Sequence, residues 1–213
     1  MNRGCLVLGF FTLYLAVAPG AEPQPRIFYS KSFPGSTPAY VQITVDRTGR
    51  VEYREAADDN DPYVSKLSPS EVNEMFALAE KLDWFRKPLE SGLKVAKMGE
   101  KTFRMENHDP AGEVKFNFTL DENGKLLHDW FERLTESAII RAALERTVRF
   151  DKLGVNKVLL QLESLYDRKR LLGLEQYLPM LDRVAKNESY LHMARERAAG
   201  LAEAFRAATA KSE

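Results

Sequence analysis

The chain has 213 residues, 44% of them hydrophobic and 29% charged, which is enough apolar content for a core and a length that fits one large or two small domains. Its 31 basic residues balance 31 acidic ones and are interleaved with them along the chain. That balance argues against nucleic acid as a partner, because a polyanion binder carries a net basic footprint.

Arg3 precedes an apolar run from Cys5 to Ala18, and Pro19-Gly20-Ala21-Glu22-Pro23 follows. A positive start, an apolar stretch of this length and small residues after it predict a secretory signal over residues 1–21. Both Ala18-Pro19-Gly20 and Pro19-Gly20-Ala21 end in a small residue, so two cleavage points stay open. The run falls short of the about 20 apolar residues of a membrane span, so no stable span is expected once it is cut. Cleavage would also remove Cys5, the only cysteine, and with it any disulfide or thiolate chemistry. The expected location is secreted or periplasmic.

After the signal come four prolines, Pro23, Pro25, Pro34 and Pro38, with Ile27-Phe28-Tyr29 among them as a short edge strand. Val41, Ile43 and Val45 alternate with Gln42, Thr44 and Asp46, the period of a strand with one buried face. Asp46-Arg47-Thr48-Gly49 supplies turn chemistry, and Val51 and Tyr53 resume the alternation, making a first hairpin. Glu55 to Lys66, with Asp58, Asp59, Asn60 and Asp61, reads as a solvated loop. It lacks the alternate acids, central glycine and closing Glu of a calcium loop. Ser68-Pro69-Ser70-Glu71 has the form of a capping box, and Val72, Met75, Phe76, Ala79 and Leu82 continue at helical spacing. That stripe is the face of a helix laid on a sheet.

Phe103 and Met105 begin a second hairpin, which returns through Val114, Phe116, Phe118 and Leu120 and closes at Asp121-Glu122-Asn123-Gly124. Beyond it the period becomes helical. Leu127, Trp130, Phe131 and Leu134 lead to Ile139, Ile140 and Leu144, with Thr135-Glu136-Ser137 as a dividing point between two helices. Val155 to Tyr166, Leu174 to Val184 and Leu191 to Phe205 mark three more, with the basic stretch Arg168-Lys169-Arg170 between the first two. The expected fold is α+β: an antiparallel four-stranded sheet of two hairpins with a covering helix over residues 22–150, then an all-α segment over residues 151–213.

Gly35-Ser36-Thr37-Pro38-Ala39-Tyr40, followed by the alternating strand, the Gly49 turn and Val51-Glu52-Tyr53, resembles the opening of a domain of bacterial exported proteins. That domain begins Gly-x-Cys-Pro-x-Tyr and continues through hairpin, capped helix, hairpin and helix, a layout matched here to about Leu134. Thr37 stands where the domain carries cysteine, so no role of that cysteine transfers. The resemblance implies a fold and no chemistry. Leu178-Pro179 through Val184-Ala185, then Ala194-Arg195 through Leu201-Ala202, is similar to a HEAT-type helical hairpin, which implies a binding surface built from stacked helices.

Chemistry-bearing residues are sparse. His108, His128 and His192 have no metal spacing between them, and solvent-facing or capping roles suit their polar neighbours. Glu71 with Glu74 and Glu132 with Glu136 are candidate carboxylate pairs, weighed against the wet helix face that charged residues ordinarily form. The expectation is therefore an exported, non-catalytic module of the bacterial envelope whose partner is a protein, with no catalytic residues, cofactor or metal. Two alternatives remain open. One is an envelope hydrolase with carboxylates at the junction of the two parts. The other is a protease-inhibitor-like domain that offers a hairpin edge by strand addition.

Overall fold

A computed structural model describes residues 24–210, so the signal read over residues 1–21 lies outside the described residues. The sheet has six strands where the hairpins alone predict four. They are β1 (Arg26–Ser32), β2 (Tyr40–Asp46), β3 (Arg50–Arg54), β4 (Tyr63–Lys66), β5 (Glu100–Glu106) and β6 (Glu113–Phe116). Their order is β4-β3-β2-β1-β5-β6, with every neighbouring pair antiparallel.

Two departures from expectation explain the extra strands. Ile27-Phe28-Tyr29 is no edge. Tyr29 faces Ile43 of β2 on one side and Phe103 of β5 on the other, so β1 joins the two hairpins into one sheet. The flanking prolines lie outside the paired residues, where they remove no ladder bond. The end of the predicted solvated loop, Tyr63–Lys66, pairs with β3 as the sheet's fourth strand in sequence. At the other edge, β6 stops at Phe116 and the alternation loses phase, leaving Thr119 buried and Leu120 exposed.

One face of the sheet is apolar. Ile27, Tyr29, Ile43, Val45, Phe103 and Phe116 are all buried and belong to one core with two helices. The opposite face is mostly polar, as antiparallel sheets permit, although Phe28, Thr44 and Thr102 on it are buried. There the Arg104 guanidinium lies 3.9 Å over the Phe28 ring. Gly49 closes the β2–β3 turn at φ 85°, and a Cβ there would stand 2.6 Å from the Leu67 carbonyl oxygen. Glycine is needed both for that backbone conformation and for that approach.

Helix α1 (Pro69–Lys81) starts as its sequence dictates. The Ser68 hydroxyl accepts from the Glu71 amide at 3.3 Å, and the Glu71 carboxylate accepts from the Ser68 amide at 2.7 Å. The helix buries Val72, Met75, Phe76 and Ala79 on the sheet, and Met75 and Phe76 each stabilise it by roughly 2 kcal/mol on an area basis.

Helix α2 (Glu122–Phe150) is a single rod of 29 residues, unbroken at Thr135-Glu136-Ser137. Asp121, expected in a hairpin turn, instead caps it by accepting from the Gly124 amide at 2.9 Å. The first half of α2 sends Leu127, Phe131 and Leu134 into the sheet core. Its second half sends Ile140, Leu144 and Val148 into a separate helical core. That second core is completed by α3 (Val155–Asp167), a 3-10 turn at Leu174–Tyr177, α4 (Leu178–Lys186) and α5 (His192–Thr209). One helix therefore serves both cores. Among the described residues, no helix is long and apolar enough to cross a membrane.

Candidate functional site

The junction between the sheet and the C-terminal helices is organised by Arg141. It sits in the second half of α2, where the rod passes the edge of β4, and it is buried. Its Nε donates to the Tyr63 hydroxyl at 2.6 Å, one Nη donates to the Val64 carbonyl, and the other donates to the side-chain oxygen of Gln176. The guanidinium also lies 4.5 Å over the Tyr63 ring. Gln176 completes the frame, receiving the Lys66 amide at 3.1 Å and donating to the Lys66 carbonyl at 2.7 Å.

Gly173 makes room for this arrangement. It adopts φ 61°, and a Cβ there would stand 2.8 Å from the Lys66 carbonyl oxygen. The outward polar groups of β4 are thereby used by Arg141 and Gln176, which covers an edge that would otherwise invite another strand. Tyr63 passes the chain of contacts on to Glu145 at 2.8 Å, and its burial raises its phenol to about 12. The space between Tyr63, Leu67, Leu134, Ser137, Leu172 and Tyr177 is about 10 Å³, no more than one water could occupy. The junction is filled.

Beside it, open to solvent, lies a cleft of about 230 Å³. The β3–β4 loop supplies Glu55, Asp59 and Asp61, the sheet supplies Tyr53 and Tyr63, and α2 supplies the exposed Ile139. Two of these acids are held by their own neighbours. Glu55 accepts from the Tyr53 hydroxyl at 2.8 Å, Asp59 accepts from the Asp61 amide at 2.9 Å, and Arg54 donates to the Asp59 carbonyl at 3.0 Å. Burial raises the Tyr53 phenol, and the Glu55 carboxylate adds to the effect. Among the described residues, no three His, Cys, Asp or Glu side chains gather as metal ligands would.

A second polar centre lies where the first turns of α2 cross β1 and β5. Glu132 receives Lys31 Nζ at 3.1 Å, and the Tyr29 hydroxyl reaches the same oxygen at 3.5 Å. His128 Nε2 stands 3.3 Å from that oxygen but off the axis of a hydrogen bond. The imidazole first, and Lys31 with it, hold the Glu132 carboxyl down to about 2 against the opposing effect of burial. Lys101, nearby and buried, donates to the carbonyls of Asn117, Gly99 and Met98 at 2.8, 3.3 and 3.4 Å. Desolvation lowers its ammonium, and Lys31 adds to that.

The candidate carboxylate pairs do not converge. Glu132 belongs to this centre, whereas Glu136 holds Arg170 at 2.8 Å, docking the basic stretch onto α2. Glu71 is used in the α1 cap and Glu74 is exposed. The histidines are far apart in role. His108 packs tilted against Trp84 with centroids 4.1 Å apart, His128 sits at Glu132, and the Nε2 of the exposed His192 lies 3.1 Å from Glu196. Arg141 escaped sequence reasoning because a single arginine on a helix carries no local sign of burial. Its only hint is position, one turn below Ser137 and Ala138 on an apolar stripe. No family model matches the chain, and no curated protein is significantly similar to it in sequence.

Proposed function

We propose that the chain is an exported, non-catalytic interaction module of the bacterial envelope that docks a protein through the cleft beside Ile139. The observation that carries this reading is the filled junction. Arg141 welds the edge of the sheet to the helices, leaving about 10 Å³ there for a substrate. Accessible beside it is a cleft lined by Ile139 with two alanines, two tyrosines, and three acids against the single cation Arg54, a composition suited to a partner segment with basic and apolar side chains. Export rests on Arg3 and the run from Cys5 to Ala18. The resemblance to the exported domain agrees with export, and that of α4 and α5 to a HEAT-type hairpin supports a binding role.

A second reading has one observation in its favour. Glu55, Asp59 and Asp61 line the cleft beside the junction of the two parts, close to where an envelope hydrolase would place its acids. Strand addition, as an inhibitor-like domain would use it, is left with β6, since the β4 edge is occupied.

The test is capture from the native envelope fraction by wild type and by Ile139→Arg, with melting midpoints measured for both. A discrete partner held by wild type and released by the variant supports docking at the cleft. Turnover of envelope material that Asp59→Asn abolishes would overturn it in favour of the hydrolase.

A further inference from the structure

The turn between α2 and α3 carries the two most exposed large apolar side chains among the described residues, Phe150 at 81% and Leu153 at 76%. The turn holds them rigidly. The Asp151 carboxylate accepts from the Gly154 amide at 2.9 Å, and the Asp151 amide donates to the Thr147 carbonyl at 2.9 Å. The link before α5 lies against this corner. The Tyr190 hydroxyl donates to the Val148 carbonyl at 2.9 Å, and Asn156 Nδ2 is 3.3 Å from the Met193 sulfur. Two more exposed apolar residues, Leu191 and Met193, are thus brought alongside.

Cations outnumber acids around this apolar tip. Arg146, Arg149, Lys152 and Lys157 are all exposed, and none has a carboxylate partner among the described residues. The one acid within residues 146–157 is Asp151, which is exposed and whose carboxylate is engaged by the Gly154 amide. Glu188 and Glu196 lie on the neighbouring link and helix, and Glu196 is paired with His192. Some cations elsewhere are matched, as Arg170 is with Glu136 and Asp129, and Arg206 is with Asp182; what sets this corner apart is that its cations flank exposed apolar side chains.

We propose that this corner docks the protein onto an anionic lipid surface, with Phe150 and Leu153 entering the interfacial layer and the four cations meeting headgroup phosphates. The features that favour lipid are shape and sign. The apolar side chains protrude from a convex turn instead of lining a groove, so a deformable layer can receive them where a rigid partner would need a matching pocket. Cations immediately beside inserted apolar groups are the pattern that anionic headgroups reward. The inference does not rest on the protein-docking reading, which concerns the cleft beside Ile139.

The test uses the form beginning at Glu22, which keeps both cores entire and lacks the apolar run of the N-terminus. It is co-sedimented with phosphatidylglycerol-rich vesicles and with pure phosphatidylcholine vesicles. Sedimentation with the first and not the second is expected. The double substitution Phe150→Ser with Leu153→Ser should weaken binding by about tenfold or more, with an unchanged melting midpoint. Arg149→Gln with Lys152→Gln and Lys157→Gln should weaken it and flatten its dependence on salt. Wild type remaining in the supernatant with anionic vesicles at low salt would overturn the proposal. So would binding indifferent to Phe150 and Leu153, or a concentration-dependent dimer that Phe150→Ser dissolves in the absence of lipid affinity.

Discussion

Arg141 Nε donates to the Tyr63 hydroxyl at 2.6 Å across 78 positions of sequence, and this bond fastens the last-added strand edge to the long helix. Removing the guanidinium takes a donor from the Val64 carbonyl and from the Tyr63 hydroxyl oxygen, and leaves the Gln176 side-chain oxygen with the Lys66 amide alone. Arg141→Ala is therefore expected to cost about 3 kcal/mol, adding lost packing over Tyr63 to unpaired acceptors. Tyr63→Phe removes a single hydroxyl and should cost about 1 kcal/mol. Urea midpoints at constant slope measure both; equal costs for the two would show that the guanidinium does no more than hold one hydroxyl.

The acid limb of stability should report on Glu132. Its carboxyl is held down to about 2 by His128 and Lys31, below the ordinary carboxylate value near 4.3 expected in the unfolded chain. A carboxyl depressed by folding stabilises fully above the unfolded value, and that contribution disappears as pH falls through the folded one. The loss thus falls between about pH 4.5 and pH 2. It amounts to about 1 kcal/mol after allowance for the solvent that reaches this side chain. Glu132→Gln should be less stable than wild type at neutral pH, with the gap closing as pH drops through that window. A gap that stays constant from pH 7 to pH 2 would mean that the ion pair with Lys31 contributes nothing.

The elements that could be read from the sequence are those whose causes are local. The α1 start is legible because Ser68, Pro69 and Glu71 act on one another within one turn. The β2–β3 hairpin is legible because its alternation and turn are adjacent in the chain. What was missed depends on distant partners. β1 presents three apolar residues in a row because Ile27 and Tyr29 face the core while Phe28 is covered from the other side by Arg104, so its alternation is masked. β4 is held by Gln176, 110 positions away. Thr135-Glu136-Ser137 reads as a helix break because its polar groups are used between elements. Ser137 Oγ accepts from the Leu172 amide at 3.0 Å and its carbonyl accepts from Tyr177, while Glu136 holds Arg170. The candidate site follows the same logic, since neither Arg141 nor its acceptors carries a motif.

Phe116 tests the far edge of the sheet. It is buried on the last strand, 5.1 Å from the Phe103 ring, with Lys101 Nζ 5.9 Å from its centroid. Phe116→Ala should cost about 3–5 kcal/mol through lost transfer energy and the cavity left beside Phe103. Phe118, next on the same strand pattern but beyond the paired residues and only half-buried, should cost clearly less on the same change. Thermal melts of the two variants separate the registers. An unchanged midpoint for Phe116→Ala would put that side chain outside the core.

Ending the chain after Gly173 asks whether the two cores fold as one. The sheet core keeps all its members, including Leu172, because none lies further along the chain. The helical core loses Tyr177, Leu181, Val184, Ala198 and Phe205, which leaves Leu144, Leu159 and Leu162 facing water. Gln176 goes too, freeing the amide and carbonyl of Lys66 on the β4 edge. The truncated chain should therefore unfold cooperatively, but it should bind a hydrophobic dye and self-associate, because an apolar helix face and an open strand edge are both exposed. Near-ultraviolet circular dichroism reads the aromatic packing of Tyr29, Phe103 and Phe131, which sit within 5.7 Å of one another pairwise. Loss of that signal together with the cooperative transition would show that α2 transmits the stability of the helical core to the sheet, and that neither half stands without the other.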